Sequence, residues 1–522
     1  MNNSTKIYLP IIIAIAVVSG MYLGQWLNYP EKAASTSANQ KFSRFINYID
    51  QSYVDEVNTD SLVEVSLQSI LKQLDPHSTY ISSLNYDQVQ AEMRGDFVGI
   101  GISFFTINDT IAVINTIPNG PSDLAGILPG DRIVSANNKN LITSTTDSIF
   151  SILKGKPNTP VNLKVKRANQ KRLLDFSLQR KRVPLKSVDA GFMLNDSLGY
   201  IKLNRFSETT YSEFKTKLNQ LQPKNPKGII IDLRNNGGGY MKEATDILDE
   251  FLSDETLMVF TKNKDGQVNK RFATSSGAFE DTNVYVLINE KTASASEVIA
   301  GAIQDNDRGL IIGRRSFGKG LVQREMKLGD GSAVRLTVAR YYTPTGRSIQ
   351  RPYDAGTEDY YDDYQSRYVN GEMKFKDSMS VNKNLQYKTP KGKIVYGGGG
   401  IIPDVFVPIK DTQTEKDIKF MFEGGVMSRF MFNQLDQHRD YYNALSENEF
   451  LSSDLITYEM IEDFENYLGD FSMSYDFDSS IKQLKIYLKA TMAQQLFDDN
   501  LANQIIADHD LMIKRLLQLK SN

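Results

Sequence analysis

The stretch from residue 199 to 345 constrains the fold more than any other. Short, almost wholly apolar runs, "GYIKL", "GIIIDL", "VYVLI" and "LIIG", alternate with helix-like segments near 210–221, 240–252 and 295–306. A strand that is apolar along its whole length has no face left for water, so its sheet must be covered on both sides. Strands alternating with helices run parallel, because a parallel neighbour needs a long crossover. The spacing therefore predicts an α/β core built on a mainly parallel sheet.

The flanks follow other periods, as a chain of 522 residues allows. Between 41 and 73 the apolar residues Phe45, Ile46, Ile49, Leu62, Val65, Leu67, Ile70 and Leu71 recur at helical spacing, and "LDPHSTYIS" closes that run at Pro76. From Phe97 the period shifts toward two, with short strands at 98–105, 111–114 and 161–165 around the turn-rich "PNGPSDLAGILPGDRI". Together with "FVGIGISF", this stretch resembles a PDZ domain. The resemblance implies that the backbone N–H groups of Gly99, Ile100, Gly101 and Ile102 hold a peptide's terminal carboxylate. The peptide would add a strand and bury an apolar last side chain. A glycine-rich strand that merely packs closely is the plainer alternative. The predicted order is an apolar N-terminal segment (1–28), linker and helical region (29–96), PDZ-like domain (97–184), α/β core (185–409) and helical extension (410–522). Residues 353–395, rich in Tyr, Asp and Lys, read as a surface insertion. In the extension Ile481, Leu484, Leu488, Met492 and Leu496 share one face, continued by Ile513, Leu516 and Leu517. These helices suit docking on the core, a homo-oligomer contact or an adaptor, and the pattern does not choose.

Composition removes several classes of function. The 60 Lys and Arg nearly balance 63 Asp and Glu, so there is no basic field to attract nucleic acid. No cysteine is present, and the three histidines, His77, His438 and His509, lie far apart, so no metal site and no cofactor is expected. His77 beside Asp75 reads as a catalytic pair or as a turn next to proline. The uncharged "IYLPIIIAIAVVSGMYLG" at 7–24 follows Lys6 and ends beside Trp26. It predicts a single-pass membrane anchor with the rest of the chain outside, on the periplasmic face of the inner membrane in the cell envelope. A cleaved signal peptide, releasing the chain to the periplasm, is the rival reading.

Chemistry is concentrated in three stretches of the core. In "KTASASEVIAGAIQDN" Ser294 precedes a helix whose Val298, Ile299, Ala302 and Ile303 share a face, and Ser296 lies in its first turn. A serine there is either an ordinary N-cap, with Glu297 completing a capping box, or a nucleophile beside unpaired N–H groups, where that of Ala295 could hold an oxyanion. In "IIGRRSFGKGLVQ" Lys319 stands between two glycines. Buried there, its amine could be neutral near pH 7 and act as a base, while a phosphate-binding or solvent-facing lysine fits the stretch equally well. "IDLRNNGGGY" offers backbone N–H groups at Gly237–Gly239, or simply a tight turn.

These stretches, in order with "LDPHSTY", "YYTPTGRSIQ" and "IIPDV", resemble the C-terminal processing peptidases, also called tail-specific proteases. The likeness covers about 41–408. It implies a core related to the crotonase and Clp protease fold, with the PDZ domain inserted. It also implies a serine endopeptidase cutting proteins near their C-termini. Carried over by motif, Ser294 is the nucleophile, Lys319 the base and Gln323 an assisting residue one helical turn beyond the base. Ala295 and one glycine of the pair Gly238 and Gly239 are the oxyanion donors. Gly237 departs from the family's frequent proline, and the insertion before "GIIPDV" is an addition. Two rivals stand beside this reading: an inactive membrane-anchored PDZ scaffold, and a crotonase-like acyl-thioester enzyme. The expected partners are protein or peptide substrates with apolar C-termini, and the membrane.

Overall fold

The computed structural model describes residues 13–23, 37–168, 170–354, 356–471, 475 and 477–521. They fall into two units, residues 1–70 and 71–522. In the first, residues 13–23 are helical; the remainder of the apolar segment 7–24 lies outside the described residues, as does most of the linker. Among the described residues no helix is long and apolar enough to cross a membrane. Helix Ala38–Ser52 is capped by Ser37, whose Oγ accepts from Gln40 N, and it buries none of its residues. The helical periodicity is thus met in conformation, but Phe45 and Tyr48 stay exposed rather than forming a core.

In the second unit the expected sheet forms in strand order 188–195, 198–203, 228–232, 283–288, 309–313 and 405–406. The first pair is antiparallel and all the others are parallel. The order follows the chain without reversal. Since parallel crossovers are right-handed, every crossover helix must land on the same face. Helices Thr210–Leu221, Met241–Asp249 and Ala295–Asp305 do so, packing on Ile201, Ile229, Ile231, Val286 and Ile311.

The alternate residues Tyr200, Ile230, Tyr285, Leu287 and Ile312 point to the other face. They are covered by Ala507, Met512, Ile513 and Leu516 of the helices Asp499–Ala507 and Leu511–Ser521. The second layer that the apolar strands demanded therefore comes from the C-terminal extension. Of the three roles left open for that extension, docking on the core is the one seen in the single chain.

A second sheet joins strands 79–81, 333–342, 257–263 and 268–272, with 321–327 paired to 333–342. The β-rich domain is a sheet of strands Ile102–Ile107, Thr110–Thr116, Arg132–Ala136, Pro160–Lys166 and Leu174–Gln179, with helices Pro121–Leu124 and Thr146–Leu153. The insertion is more than surface. Its helix Thr357–Val369 buries Tyr360 and Arg367, and Arg367 Nη1 donates to the Ser316 carbonyl at 2.8 Å.

Candidate active site

Strand Asn283–Ile288 ends where Thr292 Oγ1 donates back to the Leu233 carbonyl (2.9 Å), and the chain then turns sharply into helix Ala295–Asp305. Ser294 makes that turn with φ 56°, a conformation costly for a residue with a Cβ. Strain of this kind sets a side chain at the tip of a helix N-terminus, where the dipole and unpaired N–H groups converge. The Ala295 N–H makes no hydrogen bond among the described residues. Ser296 is wholly buried instead, its Oγ donating to the Asn236 carbonyl at 3.0 Å, so it pins the glycine loop to the helix.

That loop fits against the serine. A Cβ added to Gly238 would lie 2.7 Å from Ser294 Cβ and 2.9 Å from Ala295 N, and one added to Gly239 only 2.0 Å from the Phe206 carbonyl oxygen. Only glycine is tolerated at either position. Their amides differ in use: Gly238 N donates to Asn236 Oδ1 (2.9 Å), whereas the Gly239 N–H has no partner among the described residues.

Lys319 arrives on the loop after strand Gly309–Gly313. Burial holds its ammonium below the ordinary lysine range, and the charge of Arg335 pushes the same way, against Glu297 and Asp75. Its Nζ donates to Gln323 Oε1 at 3.2 Å, and Gln323 Nε2 in turn donates to the His77 carbonyl. With the amide nitrogen engaged by that carbonyl, the oxygen must face the lysine. Gln323 reaches it from strand Leu321–Lys327, at a bulge after Val322, and not from a helical turn as expected. Pairing with strand Ala333–Tyr342 overrides the i, i+4 helical reading.

No hydrogen bond joins the Ser294 hydroxyl to the Lys319 amine, but two buried groups hold their backbones together. The Glu297 carboxylate accepts Ser294 N (2.9 Å) and Lys319 N (2.9 Å) on Oε2, and Gly318 N (2.7 Å) and Ser316 Oγ (2.5 Å) on Oε1. Burial raises the Glu297 pKa, and these four donors oppose the rise. From strand Ala333–Tyr342 the Tyr341 hydroxyl is shared between the Lys319 carbonyl (2.7 Å) and the Ser294 carbonyl (3.1 Å). The helix is fixed at its far end as well. Asp305 forms a fully buried ion pair with Arg347 (2.7 Å), which also binds Gln304 Oε1 at 2.7 Å.

His77 lies beside this site without an acid–base geometry of its own. Its Nε2 meets the Tyr360 hydroxyl at 2.8 Å, and burial, helped by Lys319, lowers its pKa to about 4. Asp75 caps the turn, accepting His77 N, Ser78 N and Ser78 Oγ. Of the two readings of that pair, the turn is the one the contacts describe. Glu297 and Tyr341 were not legible as a pair of staples, because their partners are distant in sequence.

Residues 197–359 match the model of peptidase family S41, residues 98–178 that of the PDZ domain, and residues 418–498 that of a family of unknown function. The chain is 32% identical over 347 residues to a carboxy-terminal-processing protease of Bartonella bacilliformis, covering 64% of this chain and 80% of that one. This chain belongs to the C-terminal processing peptidases of family S41. It is a serine-type peptidase carrying a PDZ domain. It is also 30% identical over 351 residues to the carboxy-terminal processing protease CtpB of Bacillus subtilis, covering 66% and 72% of the two chains. Among solved structures, a photosystem II D1 C-terminal processing protease matches at 24% identity with a TM-score of 0.38, covering 71% of this chain and 87% of that one.

In this S41 chain the PDZ loop is arranged as follows. Gly101 has φ 73°, Ile100 is buried in the domain core, and the amides of Ile100 and Gly101 make no hydrogen bond among the described residues. Gly99 closes the strand Asp96–Gly99, and Ile102 opens the next one.

Proposed function

We propose that this chain cleaves proteins near their C-termini in the cell envelope through a Ser294–Lys319 dyad. The observation that carries the reading is the double staple: one carboxylate and one hydroxyl each bind both the serine's and the lysine's backbone, beside a helix N-terminus with an unpaired N–H. Neutral Lys319 would give one N–H to Gln323 Oε1 and turn its lone pair toward the Ser294 hydroxyl, a bond of the kind that often tightens only when substrate is bound. Ser294 Oγ then attacks the scissile carbonyl, and the N–H groups of Ala295 and Gly239 receive the oxyanion. Gly239 is preferred to Gly238 because the Gly238 amide is already engaged. The lysine, now protonated, passes its proton to the leaving amine, and water resolves the acyl-enzyme by the reverse route.

The PDZ loop Gly99–Ile102 would hold the substrate's terminal carboxylate, with the apolar last side chain between strand Ile102–Ile107 and helix Thr146–Leu153. The apolar segment 7–24 would tether the chain to the membrane from outside.

Digestion of a peptide panel varying only in its last residues, with the cuts located by mass spectrometry, tests the whole reading. Ser294→Ala and Lys319→Ala are each expected to lose hydrolysis by about 10⁴-fold or more while staying folded. Undiminished cleavage by the lysine variant would sink the dyad, and no cleavage by the parent chain would favour a PDZ scaffold.

A further inference from the structure

Strand Ile102–Ile107 is the outer strand of the PDZ sheet. Apart from its pairing with Thr110–Thr116, none of its backbone groups bonds another described segment. An added peptide strand would present successive side chains to opposite faces of that sheet. On the inner face Phe104 meets Phe150 of helix Thr146–Leu153, with ring centroids 5.5 Å apart. On the outer face the next residue, Phe105, opens into a cavity of about 190 Å³. The opposite wall of that cavity is not PDZ: it is Val426, Arg429, Tyr467, Leu468 and Phe471 of the C-terminal extension.

We propose that this cavity is a second specificity pocket, in which the extension reads an aromatic or large aliphatic side chain at the fourth position from the substrate's C-terminus. The inference rests on the PDZ domain binding C-termini as proposed above. With the terminal carboxylate at the Gly99–Ile102 loop and the last residue opposite Ile102, an antiparallel peptide sets its fourth-from-last residue opposite Phe105. Alternation points that side chain to the outer face, as it does Phe105. An apolar cavity of roughly 150 Å³ is enough to take benzene, so this one fits a phenyl ring. Arg429, with its guanidinium 5.6 Å from the Phe105 ring, forms no ion pair among the described residues and can lie over an incoming ring as well. The family of unknown function matched at 418–498 thereby acquires a role in this chain: it completes the peptide groove.

The test uses the full chain carrying Ser294→Ala and fluorescent peptides that differ only at the fourth-from-last residue, phenylalanine or glycine, each as free acid and as C-terminal amide. The phenylalanine acid should bind roughly tenfold more tightly than the glycine acid, which is what burying one large apolar side chain supplies. Phe471→Ala should reduce that ratio toward one. Phe471 is 52% exposed, so its replacement spares the fold. Replacing Val426 with tryptophan, which fills the cavity, should do the same. Equal affinity of the two acids, with both still preferred over their amides, overturns the pocket and leaves the PDZ reading standing. Equal affinity of acids and amides overturns both.

Discussion

At the scale of single residues, the proposed chemistry asks for one amine that gives up its proton readily. Lys319 is desolvated, and Arg335 repels its proton further. Replacing Arg335 with glutamine removes that repulsion and also leaves Glu325, its partner at 3.3 Å, unneutralised. Both changes favour the ammonium. The acid limb of kcat/KM against pH is expected to move to higher pH, with the alkaline plateau little altered; an unmoved limb would show that Lys319 is not the titrating base. The same depression carries a stability cost of definite sign. The folded chain sheds this proton before the unfolded one does, so the cost is complete below the depressed pKa. It fades as pH rises toward the ordinary lysine value of 10.5. Lys319→Met should therefore stabilise the chain most at neutral and lower pH, and least near pH 10, in urea titrations. Small flanking residues and glycines marked Ser294 and Lys319 only as candidates, and the family motif chose among the readings that the residues left open. Glu297 was legible only as a capping residue, since Gly318 and Ser316, which share its other oxygen, come from a different loop.

At the scale of elements, helix Ala295–Asp305 is held at both ends by groups with no exposure to water. Its start is fixed through Glu297 and its end through Asp305, paired with Arg347, both side chains at 0% exposure. A buried pair is a poor source of net stability but a severe loss when halved. Arg347→Met should cost about 3–5 kcal/mol in urea denaturation, because it strands the Asp305 carboxylate. Adding Asp305→Leu should recover a large part of that loss. If the double variant is no better than the single one, the pair serves to place the helix rather than to neutralise a charge. The helix and the parallel strands could be read from apolar periodicity, which local sequence carries. The strand that presents Gln323 could not, because a lysine and a glutamine four apart look helical until a partner strand claims them. Nor could the source of the sheet's second cover be read, since right-handed crossovers in one direction exhaust the core's own helices on the first face.

At the scale of the whole molecule, the C-terminal extension touches both functional parts. Toward the core, Asp510 pairs with Arg234 at 2.5 Å, and Asn500 Oδ1 accepts the Gly191 amide at 2.8 Å. Toward the PDZ domain, Asp436 binds Arg132 at 2.7 Å, and the guanidinium groups of Arg132 (5.2 Å) and Arg439 (5.3 Å) both lie over the Phe432 ring. Phe432 is wholly buried but stands outside the extension's own apolar cluster, so its packing serves the junction. A Phe→Ala change at a buried site costs about 3–5 kcal/mol. Here the loss should fall on docking, with the folding of either part spared. In Phe432→Ala, hydrogen exchange is expected to quicken at 110–116 and 130–136 on the PDZ face, while Leu484 and Leu488 in the extension's core stay protected. Because the PDZ domain would then move relative to the peptidase core, cleavage of a protein substrate should fall more than cleavage of a short peptide. Loss of protection throughout the extension would assign Phe432 to its internal packing, and unchanged exchange on the PDZ face would remove the junction as a determinant of domain placement.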